Sequence, residues 1–519
     1  MTEKVQKTLR DSAALRWSAL ILLSALTFST YWFQDFFSGL KGLMETEMGI
    51  DSEEFGRIIG MTTIANIFGM IIIGGIILDK WGIRIAGIVF GSIATLGGAI
   101  TAAAASGWLG DDQSTVVNYM ILGRILFGSG LEVLCVVATR TIVKWFKGYE
   151  LALAMAINMG FGRLGSAMGT ALSLDIGGGH VAPAVTFAAT LIGLALILFL
   201  IYTVFDIKID KQEKAIAGEQ EKDDSEDFKF SDLLALLKNS SFIYIALLCV
   251  AFYAAIFPFM MYAPDLLINK FGFSQVLPAA GEVILWGSKA LGAASVYVIF
   301  FLFAICFAVV PNNVKTKAMA LGIKVVSVVL FASYLFYMKD VLAVWLTNGA
   351  KTASLIPLGT IIFTPIFGNF VDKKGKAASL MILGSLLLIF AHLSLSVLNN
   401  VIIAYFGLVS LGVAFSLVPA AMWPSVAKII PENRLGTAYA SMFTLQNWGL
   451  GLFFWGIGAL LKFVNKDILP AIEAGDAVYD YTVPILILVG CGVISIFLSF
   501  KLKQSDKKYG YGLEKGSND

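Results

Sequence analysis

The sequence is short of charge. Asp, Glu, Lys and Arg make up 14% of its 519 residues, while 58% are hydrophobic. Soluble proteins carry roughly 25% charged residues, and a soluble core of this size has no room for so much apolar surface. A soluble globular protein is therefore excluded. The formal net charge of +2 leaves no basic excess for nucleic acid. The four cysteines, Cys135, Cys249, Cys306 and Cys491, all fall in apolar runs. They have no metal-ligand spacing and no loop position for a disulfide, and no cofactor or metal is expected. The two histidines, His180 and His392, lie far apart, and no nucleophile–base pair points to an enzyme. No glycine-rich phosphate loop precedes a lysine and serine, which excludes ATP as the driving force. No small-residue cleavage site follows the first apolar stretch, so the amphipathic start MTEKVQKTLRDSAALRW is read as leading into a retained first span.

What is present is a series of long apolar runs. Segments of spanning length fall near 15–36, 55–78, 83–106, 116–138, 150–173, 182–205, 241–264, 290–310, 317–338, 353–371, 377–397, 400–422, 437–462 and 482–502. That is about fourteen transmembrane helices at ~1.5 Å rise per residue, an all-α membrane protein. Lys324, Pro357 and Pro365 interrupt the runs at 317–338 and 353–371. One set of loops is basic (Lys80 and Arg84; Arg140, Lys144 and Lys147; Lys315 and Lys317; Lys373, Lys374 and Lys376; Lys428 and Arg434) and the opposite set acidic (Glu45, Glu47, Asp51, Glu53 and Glu54; Asp111 and Asp112; Asp175). Basic loops belong inside, which puts both termini in the cytoplasm. Residues 206–240 mix both signs and read as a solvated cytoplasmic linker. The expected organisation is a first six-helix bundle at 1–205, the linker, a second bundle at 241–505 and a cytoplasmic tail at 506–519.

The two halves repeat. GGIILDKWGIR (74–84) and FGNFVDKKGK (367–376) align Gly75, Asp79, Lys80 and Gly82 with Gly368, Asp372, Lys373 and Gly375 at one offset, 368 − 75 = 293. Four matches at one spacing, each at the inner end of a span, indicate two parallel halves. This loop resembles the signature G-x-x-x-D-[RK]-x-G-x-[RK] of the major facilitator superfamily, and Arg124, Gly128 and Gly130 resemble its fourth-helix motif R-x-x-x-G-x-G. Narrower blocks, FGSGLEVL, WFKGYELALAMAINMGFGRLGSAMG, FYAAIFPF, NKFGFS and MWPSVAKIIPENRLGTAYASMFTLQNWGLG, resemble the superfamily's lysosomal dipeptide transporters. The resemblance implies two six-helix bundles moving a small peptide. It also implies that Asp79, Lys80, Arg84, Asp372, Lys373 and Arg124 belong to the gate, with the loops latching the inner side when the outer side is open. Plain positive-inside topology explains the basic residues of these loops but not the aspartates or their repeat. One departure stands out: about 97 residues separate NKFGFS from VDKKGK, where the superfamily has one helix. The excess is read as an inserted transmembrane hairpin at about 288–340, lateral to the bundle, with Lys324 snorkelling to the inner surface.

Two charges stand where lipid-facing sequence should have none. Glu132 lies about 24 Å into the fourth helix, and Arg163 about 22 Å into the fifth, flanked by Gly160, Gly162 and Gly165. A carboxylate near the bilayer centre costs roughly 2.5–3.5 kcal/mol, so it persists only for a reason. One reason is a Glu132–Arg163 salt bridge that neutralises both. The other is a zwitterionic ligand, its ammonium on Glu132 and its carboxylate on Arg163, about 7 Å apart in a dipeptide. The resemblance aligns these two residues with an acidic and a basic residue of the lysosomal relatives. Superposing the repeat on Glu150 and Arg434 places Asn447 opposite Arg163, which brings Gln446 and Asn447 towards the same cavity as partners for peptide amides. Asn158 is a further candidate. Trp423 and Tyr439 either pack on ligand side chains or anchor the fold. Asp35, at the end of the first helix, either meets the ligand or begins the loop.

The first helix, LTFSTYWFQDFFSGL, lacks the E-x-x-E-[RK] pattern of proton-coupled peptide transporters. Uniport of dipeptides by alternating access is the expectation. A carrier of organic anions or sugars, proton-coupled or not, and a non-transporting receptor are the alternatives. The sole N-x-[ST] sequon, Asn239-Ser240-Ser241, falls on the cytoplasmic side. That fits a monomer in a bacterial inner membrane better than the lysosomal setting and glycosylated accessory subunit that the resemblance implies.

Overall fold

The structure, a computed structural model, describes residues 9–217, 230–314 and 316–516. Residues 1–8 of the amphipathic start, the middle of the expected linker, Lys315 of the basic loops and residues 517–519 of the tail lie outside the described residues. Thirteen of the described helices are long and apolar enough to cross a membrane. One of them takes part in two crossings. The helix Met70–Ala105 contains Gly82 at φ 78°, ψ 173°, a conformation open to glycine and strained for other residues. Before Gly82, Gln113 bonds Gly49 and Glu54, Gly74 faces Val133, and Asp79 pairs with Arg140, so the numbers rise together. After it, Gly130 faces Phe90 and Gly97 faces Phe127, so they run in opposite senses. The chain reverses at Gly82, which makes fourteen crossings in all.

We number them α1 (Ala13–Asp35), α2 (52–81), α3 (83–105), α4 (Gln113–Phe146), α5 (Leu151–Ile176), α6 (Val181–Ala217), α7 (Ser240–Phe271), α8 (Lys289–Asn313), α9 (Lys317–Tyr337), α10 (Gly349–Lys374), α11 (Ala377–Val397), α12 (Val401–Ile429), α13 (Leu435–Asn465) and α14 (Thr482–Tyr509). Lipid offers no hydrogen bonds, so spanning backbone groups must be satisfied inside the protein, most of them within their own helix. Short polar side chains begin these helices: Asp112 accepts from Thr115 N at 2.9 Å, Asn239 from Ser241 N at 3.0 Å and Asn400 from Ile402 N at 2.9 Å. The sequon asparagine is thus a helix cap. Pro365 is carried inside α10, and Pro419 and Pro424 inside α12, without ending either helix.

α1–α6 form the first half, and α7 with α10–α14 the second. One face of the molecule carries the described basic loops together with Leu9 and Gly516, the first and last described residues, here the terminal face; the other is the opposite face. α6 runs past the expected boundary at 205 to Ala217, because Asp206 and Asp210 are held by Lys144 at the end of α4. The inserted pair is asymmetric. α8 packs against α5, with Phe301 4.9 Å from Phe161, and meets α10 through a 2.7 Å bond between the Tyr297 and Ser354 hydroxyls. α9 buries none of its residues and leans on α8, with Phe331 stacked 3.9 Å from Phe303. Lys324 lies 5.9 Å from the Phe307 ring of α8.

Candidate functional site

A cavity of about 410 Å³ opens between the halves. The first half lines it from α1 (Tyr31, Gln34), α2 (Thr62, Thr63, Asn66), α4 (Glu132, Cys135) and α5 (Met159, Arg163). The second half answers from α7 (Tyr253, Phe257), α10 (Thr360, Thr364), α12 (Phe415, Trp423) and α13 (Phe443, Gln446, Asn447). Both Glu132 and Arg163 are half-buried in its wall. Among the described residues neither forms an ion pair within 4.0 Å, with each other or with any third group. The Arg163 guanidinium lies instead 4.5 Å from the Phe415 ring of the other half and 5.9 Å from the Tyr31 ring. A cation over an aromatic face keeps its charge while leaving its N–H groups available.

The second half faces these charges with aromatic rings and amides. Trp423 stacks 4.8 Å from Phe443 and donates its indole N–H to Tyr253 Oη at 3.0 Å. Tyr253 stacks 5.4 Å from Phe257, which meets Phe415 edge-on at 5.3 Å. The Gln446 carbonyl accepts from the Cys249 thiol at 3.6 Å, and Asn447 donates to Phe443 O at 2.9 Å. Gln446 thereby keeps its NH₂ for another partner, and Asn447 its carbonyl.

Four of the other sequence candidates lie off the cavity. Asn158 accepts from Ser24 at 3.2 Å and Thr27 at 3.1 Å, tying α5 to α1. Asp35 ends α1 buried and accepts from Ser166. Tyr439 donates to Trp423 O at 3.2 Å and so supports a lining residue without being one. Arg124 is fully buried, away from the repeated loops of the terminal face, and donates to Phe33 O at 2.7 Å and Gln34 O at 3.2 Å, closing the end of α1. Gly128, on the same face of α4, is where α2 comes closest: a Cβ there would lie 1.9 Å from Thr62 O. Tyr31, Tyr253 and the threonines escaped the sequence reading, as did Asn66. The polar cluster Thr62-Thr63-x-x-Asn66 inside an apolar run was the available signal.

The repeated loops on the terminal face each hold bonds within their own half. Asp79 pairs with Arg140, and Arg84 with Asp206 at 3.3 Å and Asp210 at 2.8 Å. Lys80 is exposed. In the second half Asp372 and Lys373 are exposed, and the tail covers the loop instead: Lys376 N donates to Glu514 O at 3.2 Å and Ala377 N to Leu513 O at 2.9 Å. Ion pairs join the halves at the opposite face. Lys41 pairs with Asp265 at 2.9 Å, Lys462 with Asp51 at 2.8 Å and Glu53 at 3.3 Å, and Lys351 with Asp175. Tyr479 adds a hydroxyl bond to Glu45 across the interface, and Tyr481 steadies Asp265 from within the second half. Burial pushes the Asp51 carboxyl up, but the bond from Lys462 and the amides of Glu53 and Glu54 outweigh it and hold it below its ordinary range. The halves are clamped on this face.

Two six-helix halves around a cavity at their interface, its mainly apolar wall carrying a few charged and amide groups, define a solute carrier of the membrane. The profile of the Major Facilitator Superfamily matches residues 23–350, and that of the MFS_1 like family residues 337–518. The chain belongs to the Major Facilitator Superfamily; it is a multi-pass membrane transporter of a small molecule and not an enzyme. It is 26% identical over 454 residues to the lysosomal dipeptide transporter MFSD1 of Danio rerio, covering 85% of this chain and 80% of that one. Human (Homo sapiens) MFSD1, of the same name, is 25% identical over 462 residues, covering 86% and 80%. Among solved structures, the xylose transporter XylE from E. coli aligns with a TM-score of 0.60 at 13% identity, covering 94% of this chain and 98% of that one. The nucleoside transporter NupG aligns with a TM-score of 0.55 at 15% identity, covering 94% and 99%.

Proposed function

We propose that this protein carries dipeptides, or zwitterionic peptides of similar size, by alternating access of its two halves, as a uniporter. Glu132 takes the ligand ammonium and Arg163 its carboxylate, the latter as a two-pronged hydrogen bond. Gln446 and Asn447 serve the peptide carbonyl, and the Tyr253–Trp423–Phe443 wall receives a side chain. The observation that carries this reading is the pair of opposite charges lining one cavity without pairing to each other. A cavity of about 410 Å³ is of the size that small-molecule sites take. The names of the relatives support the substrate class, and the missing E-x-x-E-[RK] pattern in α1 supports uniport. Rocking about the cavity would break the clamp on the opposite face and bring the repeated loops of the terminal face, Asp79 to Arg84 and Asp372 to Lys373, into contact as the gate. The loop charges support cytoplasmic termini, a setting that suits a bacterial inner membrane and a monomer needing no glycosylated subunit.

The test is a thermal-shift screen of purified protein against dipeptides, single amino acids, sugars, nucleosides and organic anions, followed by counterflow in liposomes. Stabilisation and flux with dipeptides are expected. Stabilisation by sugars, nucleosides or anions alone would reassign the substrate, and binding without flux would make the protein a receptor.

A further inference from the structure

α2 does not cross as one helix. It unwinds between Gly60 and Met70, through a 3₁₀ turn at Met61–Thr63, a single turn at Ile64–Ile67 and a left-handed Gly69 at φ 83°. Broken helices in carriers expose polar groups where a ligand is held. Within this break the threonines are already spent as donors: Thr62 bonds Ile59 O at 2.8 Å and Thr63 bonds Gly60 O at 2.7 Å. Asn66 is not. Its Nδ2 donates to Gly128 O at 3.4 Å, and its Oδ1 has no donor among the described residues although the residue is only 1% exposed. A buried acceptor without a partner is a standing cost, and natural structures keep few of them. Asn66 lines the same cavity as Glu132 and Arg163. It touches α4 at Gly128, one helical turn or about 6 Å from Glu132.

A dipeptide whose ammonium rests on Glu132 carries its peptide N–H about one residue length, ~3.5 Å, further along. We infer that Asn66 Oδ1 is the acceptor for the ligand's peptide N–H, so that the break in α2 reads the amide bond itself. This rests on the dipeptide reading above and adds to it a reason for selecting a peptide over an amino acid or an anion of equal charge. A site built around a hydrogen bond rejects an analogue lacking the donor, because the protein group is then left unpaired.

The experiment compares alanyl-alanine with alanyl-lactate, its ester analogue, which keeps both termini and replaces N–H by oxygen. Wild type should bind the amide about tenfold or more tightly than the ester. Asn66→Leu should lose most of that preference, chiefly by weakening the amide, and Asn66→Ala should do the same if the leucine variant folds poorly. Equal affinity of wild type for amide and ester would overturn the inference while leaving dipeptide transport standing. So would a variant that weakens both ligands by the same factor, the behaviour of an asparagine holding a buried water. Failure of wild type to bind any dipeptide would instead sink the functional reading, and this inference with it.

Discussion

Lys41→Ala should open the opposite face. The Lys41 ammonium lies 2.9 Å from Asp265 Oδ2, with the two side chains 2% and 8% exposed, and joins the loop after α1 to α7 of the other half. Removing one partner of a buried pair leaves the other charge uncompensated and costs about 3–5 kcal/mol. Asp265 keeps the hydroxyl of Tyr481, which argues for the lower end of that range. The cost falls on the clamped state alone, since Asp265 regains water once the face opens. About 3 kcal/mol is roughly a hundredfold in the opening equilibrium. Cys135 lines the cavity and reports the change. With Cys249, Cys306 and Cys491 replaced by serine, a membrane-impermeant maleimide applied from the face opposite the termini should label Cys135 slowly in the Lys41 protein. Labelling should be many times faster in Lys41→Ala, and slow again in the charge swap Lys41→Asp/Asp265→Lys. A folded Lys41→Ala protein labelled no faster than its parent would refute the claim that this pair holds the halves together.

Gly128→Val should fail to fold or lose many degrees of Tm in detergent, because its first side-chain carbon alone would lie 1.9 Å from the Thr62 carbonyl. Arg124→Leu should lower Tm by stranding the Phe33 and Gln34 carbonyls, at about 1–3 kcal/mol each, yet leave ligand affinity in the surviving protein within a few-fold of wild type. The Asp51–Lys462 bridge should not respond to pH between 5 and 8. A carboxyl held below its ordinary range contributes fully above its unfolded pKa and loses its contribution only as pH falls through the lower folded value. Asp51→Asn should therefore raise Cys135 labelling from the opposite face by a constant factor across that range.

Most of the architecture was legible because lipid imposes it. Apolar length marks each crossing, and the runs ending at 78 and starting at 83 bracket the reversal at Gly82 even though helical backbone continues almost unbroken around it. Glu132 and Arg163 were legible because a charge inside an apolar run is costly, and Gln446 and Asn447 because the halves repeat. The same logic could not sort Asn158, Asp35 and Tyr439 from the lining residues. In a bundle a polar side chain is tolerated equally well facing a cavity or facing a hydroxyl on the next helix, as Asn158 faces Ser24 and Thr27. The unwinding of α2 stayed hidden because its 55–78 run is apolar enough to pass for one helix. The clamp on the opposite face was illegible for a different reason: Lys41 and Asp265 fall beyond the ends of the apolar runs 15–36 and 241–264, where a charge is no signal, and only the meeting of the halves pairs them.

The central claim is that Glu132 and Arg163 hold the two ends of one ligand, and affinities for end-capped peptides test it most directly. The measurement is the Kd of a free dipeptide, its N-acetyl form and its C-terminal amide for wild type, Glu132→Gln and Arg163→Met. Each charge-assisted contact should be worth about 1.5–3 kcal/mol, roughly 10- to 150-fold. Wild type should therefore reject both capped peptides by such factors. Glu132→Gln should weaken the free dipeptide but hardly change the N-acetyl form, and Arg163→Met should weaken the free dipeptide but hardly change the amide. Equal losses for free and capped peptides in either variant, or full affinity of wild type for the capped forms, would contradict it.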